Sequence, residues 1–167
     1  INANQELLRL AWTRPEKQRY APQLLQSIDY FNHVSMWTSW QVLQGPTPDH
    51  RANIIRYFAD VLTELKQLQC FDMMIAVLSG LQNSAVTRLK STWAKVPESI
   101  NKELKEWSNM TDHNFTRLRA LLRQVTPPAV PYLGMYLTDL VYLEEMPNRV
   151  HGDLIHFFKV CIFSLSL

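Results

Sequence analysis

The side chains that most often carry chemistry are scattered along this chain and form no catalytic or metal-binding group. The five histidines include no HExxH motif and no pair spaced to bind one metal from a single helix face. His151 and His156 lie five residues apart, which places them on different faces of a helix. Two cysteines, Cys70 and Cys161, are too few for a disulfide framework or a zinc site. We therefore expect neither a metal centre nor any other cofactor.

Covalent catalysis has no candidate site in the sequence either. Serine, histidine and acidic residues are present, but no GxSxG elbow arranges them as a triad. Glu144 and Glu145 are adjacent carboxylates, yet neighbouring residues on a helix point about 100° apart, which is unsuited to a glycosidase pair. The four glycines belong to neither GxGxxG nor GxxxxGKS/T, so no phosphate-cradling loop is predicted.

Length and composition limit the class of protein. The 167 residues suit one domain, and 47% apolar with 19% charged residues exclude a disordered chain. Seventeen basic and fifteen acidic residues leave a net charge of +2, too small an excess to favour nucleic-acid binding. There is no secretory signal pattern and no apolar run of about 18 residues, so we expect a cytoplasmic protein without a membrane span. Because the chain begins at Ile1, we expect it to be a piece of a longer protein.

Hydrophobic spacing predicts helices in the first half of the chain. The segment from Gln23 to Gln44 has helical spacing and stops at Gly45–Pro46. Asp49 is a good N-cap for a second helix, which carries apolar residues as far as Leu65. A third helix, from about Phe71 to Leu81, is nearly continuous in apolar residues and is expected to be central.

The second half continues this pattern, with prolines at helix boundaries. A short helix is expected to end near Thr92–Trp93, and a last segment from Asp153 starts helically. Thr111–Asp112 is a candidate cap. The three other predicted helices are Pro97 to Ser108, His113 to Gln124, and Pro131 to Glu145. No strand alternation persists, so the expected fold is all-α: a single domain of about eight helices.

The helix from Pro131 to Glu145 has more apolar residues than a surface helix needs. They cover almost its whole circumference, so it must be buried either in the domain's own core or in a partner. Thr138, Val141, Tyr142 and Glu145 follow an i, i+3, i+4, i+7 pattern and form one face near its C-terminus. An acid at a helix C-terminus opposes the macrodipole at a small cost, which suggests a functional reason for Glu145. Both kinds of burial remain open at this point.

Ordered sequence blocks that match one known family run from about Leu7 to Lys159. The blocks are FNHVSMW at 31–37 (family pattern FNxxSxW), LSGL at 78–81 and VTRLKSTW at 86–93 (its second block), PPAVPYLGMYLTDL at 127–140 (PPxxPxxGxYLxDL), LEE at 143–145 (FxEEGNP) and LIHFFK at 154–159 (LINFxK). On these residues the chain resembles the catalytic domain of Ras-family guanine-nucleotide exchange factors, found in activators of Ras, Rap and Ral.

The resemblance implies a helical bowl with a protruding helical hairpin, whose first arm is the helix ending at Glu145. In this family the hairpin opens the nucleotide site of a small GTPase, and the bound nucleotide leaves without any bond being broken. By the motif match, Val141 would intrude on the magnesium site, and Glu145 would compete with phosphate for the phosphate-loop donors. Asn32 and Asn114 would hold the switch region and support the hairpin. The expected GTPase contacts are Asp29, Ser79, Gln82, Arg88 and Tyr142. The expected partner is a Ras, Rap or Ral GTPase, met in the cytoplasm or at a membrane to which other parts of the parent protein recruit the domain.

Two departures from the family pattern lead to further expectations. Met146–Pro147–Asn148 replaces Gly-Asn-Pro, so the hairpin tip is expected to be altered and shortened. After Lys159, the apolar segment Val160–Leu167 replaces the charged return helix of the family. We therefore expect residues 1–159 to form an exchange domain that is incomplete at both ends, and residues 160–167 to be a divergent tail prone to aggregation.

Loss of the return helix also bears on function. Tyr136, Leu140 and Leu143 are expected to be poorly covered without it. The leading hypothesis is an exchange catalyst without covalent chemistry. The alternatives are a non-catalytic GTPase-binding or scaffold domain with a disabled hairpin, and a helical interaction domain with no GTPase partner.

Overall fold

The structure, a computed structural model, describes residues 6–150, 154–157 and 159, and over these residues it confirms the all-α fold. A 3₁₀ segment, Leu8–Thr13, precedes the α-helices. The helices in the described residues are α1 (Lys17–Tyr20), α2 (Pro22–Leu43), α3 (Pro48–Gln67), α4 (Phe71–Leu81), α5 (Ser84–Thr87), α6 (Lys90–Trp93), α7 (Glu98–Ser108), α8 (Asp112–Leu122) and α9 (Leu133–Glu145). Two short antiparallel strands follow, β1 (Arg149–Val150) and β2 (Leu154–Ile155), with Arg149 opposite Ile155 and Val150 opposite Leu154.

These elements form two compact units. One unit is Tyr30–Tyr132, and the other combines the described residues up to Asp29 with those from Leu133 onward. Each unit has its own cluster of buried apolar side chains. We refer to them below as the central unit and the terminal unit.

Helix α4 is the middle of the central unit and has the bounds predicted from its apolar run. Eight of its eleven residues are buried. Ile55 and Leu62 of α3 and Leu118 of α8 are fully buried in the same cluster. A helix that is apolar on every side is stable only when other helices cover it all round, which explains why the neighbouring helices pack around this one.

Gly80 lets α4 approach the backbone of α2. A Cβ atom on Gly80 would lie 2.5 Å from the carbonyl oxygen of Ser35 and 2.6 Å from Cβ of Thr38. The buried Ser39 hydroxyl donates to the Gly80 carbonyl oxygen at 2.8 Å. The two helices are therefore close enough for only a hydrogen atom at position 80.

We expect Gly80→Ala to lower the free energy of unfolding by about 1–3 kcal/mol, since the added methyl group would force α2 and α4 apart. Urea titration followed by circular dichroism measures the difference. Ser99→Ala, an exposed substitution on α7, is the control and should change stability by less than about 0.5 kcal/mol. Equal stability of Gly80→Ala and the unmodified chain would contradict the close approach.

The N-cap predicted for α3 was wrong by two residues. The cap is Thr47, whose hydroxyl oxygen accepts from the His50 backbone N–H at 3.2 Å, and Pro48 is the first helical residue. Proline suits that position because its missing N–H would have no helical partner. Asp49 instead lies in the first turn, where its carboxylate pairs with the Lys95 ammonium at 2.7 Å.

Other helix boundaries also differ from the predictions. The single short helix expected to end near Trp93 is divided into α5 and α6, because Leu89 has non-helical backbone angles. Pro97 is the N-cap of α7 and not one of its helical residues. Thr111 makes no capping hydrogen bond to α8, since its hydroxyl donates to the Ser108 carbonyl oxygen at 2.8 Å.

The start of α9 is also later than predicted, at Leu133 and not at Pro131. The preceding residues are held in an extended conformation at the N-terminus of α4. The Val130 N–H donates to the Gln69 carbonyl at 2.9 Å, and the Val130 carbonyl accepts from the Phe71 N–H at 2.8 Å. These bonds compete with helical ones, so the helix begins after them.

At the end of the chain, the structure has strand β2 at the point where the last predicted helix was expected to begin. The rest of that prediction covers Phe157 and Lys159, whose backbone is helical, and residues 153, 158 and 160–167, which lie outside the described residues, as does the tail expected to aggregate.

The terminal unit covers the residues that were expected to be poorly covered. Leu140 and Leu143 of α9 are 2% and 4% exposed, which contradicts that prediction. The 3₁₀ segment and the start of α2 supply the cover, with Trp12 and Leu24 in the same buried cluster. Tyr136 is partly buried.

Glu6 caps the N-terminus of α2 from a distant position in the sequence. The residue is 1% exposed, and its carboxylate accepts from the Gln23 N–H at 3.3 Å and from the Leu24 N–H at 2.8 Å. Both N–H groups belong to the first turn of a helix, where no backbone carbonyl is available to them. A buried carboxylate is favourable there because it also faces the positive end of the helix dipole.

Candidate functional site

The site residues predicted from the resemblance fall in both units, and each unit is described separately. The central unit contains Asn32, Ser79, Gln82, Arg88 and Asn114, and the terminal unit contains Asp29, Val141, Tyr142 and Glu145. Of the terminal set, Val141, Tyr142 and Glu145 share the last two turns of α9, and Asp29 lies on α2 with its side chain exposed.

Helix α9 has one buried face and one exposed face. Leu137, Leu140 and Leu143 are buried in the terminal unit. Tyr142, in contrast, is 60% exposed, and Glu145 is exposed at the last position of the helix. Val141 lies between the two faces and is partly buried. The sequence left open whether this helix is buried in the domain's own core or in a partner. The structure shows that one face is buried in the protein's own core and that the other face is uncovered within the terminal unit.

The segment after α9 is tied back to the helix by Lys159. The lysine Nζ donates to the backbone carbonyls of Glu144 and Met146 and to the side-chain oxygen of Asn148. The His156 N–H donates to the Asn148 carbonyl at 2.9 Å. Sequence reasoning did not identify this contact, because Lys159 was visible only as the last residue of a family block.

An aromatic cluster in the central unit brings two predicted residues into one neighbourhood. The ring of Tyr132 lies 5.4 Å from that of Phe31 and 5.3 Å from that of Phe115, measured between centroids. Asn32 directly follows the first of these phenylalanines, and Asn114 directly precedes the second. Both asparagines are exposed. The cluster thus anchors the backbone on which each of them lies.

The Tyr132 hydroxyl in this cluster has an altered pKa, and burial is the main cause. It raises the pKa of the Tyr132 hydroxyl, and the negative charge of Asp72 raises it further. Tyr132 is therefore neutral at physiological pH, as a phenol packed between two rings should be.

The backbone at Asn114 is in the left-handed conformation. The φ angles of His113, Asn114 and Phe115 are 51°, 55° and 59°. Asparagine tolerates this region well, but phenylalanine does not. Two side-chain bonds stabilise the turn: the Thr116 hydroxyl donates to the His113 carbonyl at 2.6 Å, and Arg119 Nε donates to the Asn114 carbonyl at 3.0 Å. The turn therefore displays Asn114 at a defined point before the regular part of α8.

The other predicted contact residues of the central unit lie at and after the C-terminus of α4. Ser79 is partly buried, while Gln82 and Arg88 are exposed. Gln82 Nε2 donates to the Ser108 hydroxyl oxygen at 2.7 Å, which links the end of α4 to the end of α7. Arg88 Nε donates to the Ser84 carbonyl at 2.9 Å. Both side chains are held in place although they lie on the surface.

Two concave regions of the described residues lie away from the predicted site residues. A cleft of about 620 Å³ in the terminal unit is lined by Arg9, Arg14 and Tyr20 among others. A groove of about 420 Å³ in the central unit is lined by residues that include Trp37 and Tyr57. Neither lining contains a predicted site residue.

The described residues contain no group of three or more histidine, cysteine or acidic side chains that could hold a metal ion. The same part of the chain contains no helix long and apolar enough to cross a membrane.

Comparison with known proteins identifies the family. The RasGEF domain family model matches residues 3–161. The chain is 36% identical over 146 residues to Ras guanine nucleotide exchange factor P of Dictyostelium discoideum, an alignment that covers 86% of this chain and 10% of that protein. It is 33% identical over 163 residues to Ras-specific guanine nucleotide-releasing factor 1 of Mus musculus, covering 96% of this chain and 13% of the mouse protein. The chain thus spans little more than a tenth of the length of these relatives. Because the family model matches nearly all of it, the chain belongs to the RasGEF domain family.

Proposed function

We propose that this domain accelerates the release of GDP from a Ras-family GTPase. Membership of the RasGEF family supports an exchange catalyst, and the names of both relatives describe exchange or release of nucleotide for Ras. The observation that carries the proposal for this chain is the end of α9. There an exposed tyrosine and an exposed acid, Tyr142 and Glu145, stand on a helix whose opposite face is fixed in a buried core.

In the proposed mechanism, α9 is the arm that enters the nucleotide site. Val141 places an apolar side chain at the magnesium site, and the Glu145 carboxylate competes with phosphate for the donors of the phosphate loop. Both residues offer the GTPase an alternative to its nucleotide contacts. Nucleotide leaves intact, so this form of catalysis involves no covalent step and needs no cofactor from the domain.

The remaining residues hold the GTPase in position. Asn32 and Asn114 bind the switch region, and the aromatic cluster around Tyr132 keeps their backbones in place. Asp29 and Tyr142 of the terminal unit, and Ser79, Gln82 and Arg88 of the central unit, make further contacts with the GTPase. The proposal also places the domain in the cytoplasm, with Ras, Rap or Ral as the GTPase.

The energies required are compatible with this surface. Accelerating release ten-thousandfold requires about 5.4 kcal/mol of differential binding to the open state. A few buried polar contacts contribute about 1–3 kcal/mol each, and one apolar anchor adds a similar amount. A carboxylate, two amides and Val141 together are sufficient.

A release assay tests the proposal directly. Ras, Rap and Ral are each loaded with fluorescent GDP and mixed with the domain and excess unlabelled nucleotide. We expect faster loss of fluorescence for at least one of the three. Failure to accelerate release from any of them would overturn the proposal.

A binding measurement then separates catalysis from scaffolding. A stable complex with nucleotide-free GTPase, found without faster release, would indicate a non-catalytic GTPase-binding domain. Absence of any complex would favour a helical interaction domain with a different partner.

A further inference from the structure

Lys159 is in an unusual environment for a lysine. Only 8% of the residue is exposed, although lysine is almost never fully buried unless it is paired. Its Nζ donates to the Glu144 carbonyl at 3.2 Å, to the Met146 carbonyl at 2.9 Å and to Oδ1 of Asn148 at 2.8 Å. An ammonium group has three N–H donors, so these three acceptors use all of them.

All three acceptors belong to the end of α9 and the turn that follows it. The last carbonyls of a helix have no N–H partner within the helix, and they form the negative end of its dipole. A buried ammonium donates hydrogen bonds to these carbonyls, and its positive charge is attracted to the negative end of the dipole. The β1–β2 pairing and the His156–Asn148 backbone bond also connect residues 148–150 with residues 154–156, which come just before Lys159 in the sequence.

Glu145 lies between the two residues whose carbonyls Lys159 binds. Its carboxylate is not an acceptor of the lysine, and within the described part of the chain it forms no ion pair. The lysine therefore fixes the backbone on both sides of Glu145 and leaves its exposed carboxylate available.

We propose that Lys159 is a positioning residue for nucleotide exchange: its ammonium fixes the end of α9 and thereby holds Glu145 where it meets the GTPase. This inference rests on the exchange function proposed above. Lys159 contacts neither GTPase nor nucleotide in this role and acts only through the α9 backbone.

Two substitutions of Lys159 distinguish the effect of its hydrogen-bond donors from the effect of its positive charge. Lys159→Met keeps the length of the side chain and removes all three donors. Lys159→Arg keeps the charge, but a planar guanidinium cannot match three acceptors arranged around an ammonium. Lys102→Met is the matched control, because Lys102 on α7 is 72% exposed and makes only a 3.8 Å surface pair with Glu98.

The kinetic test measures the exchange rate against GTPase concentration. We expect Lys159→Met to lower the maximal rate by at least about tenfold, with KM for the GTPase changed by less than about threefold, since misplacing a catalytic group costs rate more than binding. Lys159→Arg should recover part of the loss, and Lys102→Met should behave as the unmodified domain.

In a Glu145→Ala background, adding Lys159→Met should change the rate by less than about twofold, because the two residues act as a unit. If the rate loss in the double variant equalled the product of the losses in the two single variants, the positioning role would be overturned.

Amide hydrogen exchange tests the same contact without a GTPase. Lys159→Met should speed exchange at residues 143–146 by at least about tenfold and leave α4 unchanged, since only the end of α9 loses its cap. Unchanged protection of 143–146 in both Lys159 variants would overturn the inference even if GDP release were fast. Weakened protection in a domain that accelerates no GTPase would overturn the proposed function and, with it, the role in exchange. If Lys159→Met does not fold, Lys159→Arg gives the deciding measurement.

Discussion

Glu145→Ala is expected to slow domain-stimulated GDP release by about a hundredfold, the largest effect predicted for any single substitution here. A carboxylate that replaces phosphate on charged and backbone donors contributes about 1.5–3 kcal/mol, and a hundredfold rate change corresponds to about 2.7 kcal/mol. The fold should survive, because Glu145 is exposed at a helix end. Release of fluorescent GDP measures the rate, and the thermal midpoint reports the fold.

The neighbouring acid provides a matched control for this experiment. Glu144 is also exposed, and only its backbone carbonyl takes part in the Lys159 contact, which alanine retains. Its side chain points about 100° away from that of Glu145 around the helix. We expect Glu144→Ala to change the release rate by less than about threefold. Equal losses from both substitutions would show that acidity at this end of α9 matters and that the position of the carboxylate does not.

Asn32→Ala is expected to have the second largest effect, a slowing of release by about tenfold to thirtyfold. This range corresponds to about 1.4–2 kcal/mol, the contribution of one or two hydrogen bonds made to the switch region. The side chain is exposed and the adjacent Phe31 ring remains packed on Tyr132, so the thermal midpoint should stay within a few degrees. The same release assay gives the rate.

Asn53→Ala on α3 is the corresponding control, since it removes another exposed amide from a helix of the same unit. It should leave the release rate unchanged. If Asn32→Ala and Glu145→Ala both released GDP at the rate of the unmodified domain, the assignment of roles from the family motifs would be wrong, even with exchange itself observed.

The sequence predicts well those features that depend on neighbouring residues. Phe71 to Leu81 has the same bounds in the sequence and in the structure, because a continuous apolar run between polar turns forms one buried helix. The end of α9 at Glu145 was also predicted, since Met146–Pro147 cannot continue a helix. The ordered family blocks, which are local in the same sense, were sufficient to identify the exchange-factor family.

The tertiary structure decides features that depend on contacts between distant residues. Helix α9 starts late because Val130 bonds to Gln69 and Phe71, about sixty residues earlier in the chain. The N-terminus of α2 is capped by Glu6, which precedes it by 16 residues counted from Pro22. Neither partner leaves a mark on the local pattern, so no window of sequence could reveal them.

Some features of the candidate site could likewise be predicted from the sequence, and others depend on the tertiary structure. Sequence motifs selected Glu145 and Asn32 by their types and order along the chain. Only the folded chain joins Phe31, Tyr132 and Phe115 in one cluster, and only there does a lysine 14 residues beyond Glu145 cap the helix that carries it. The physical reason is that hydrophobic periodicity and capping preferences act within a few turns, whereas burial and satisfaction of polar groups are set by whichever residues the fold brings together.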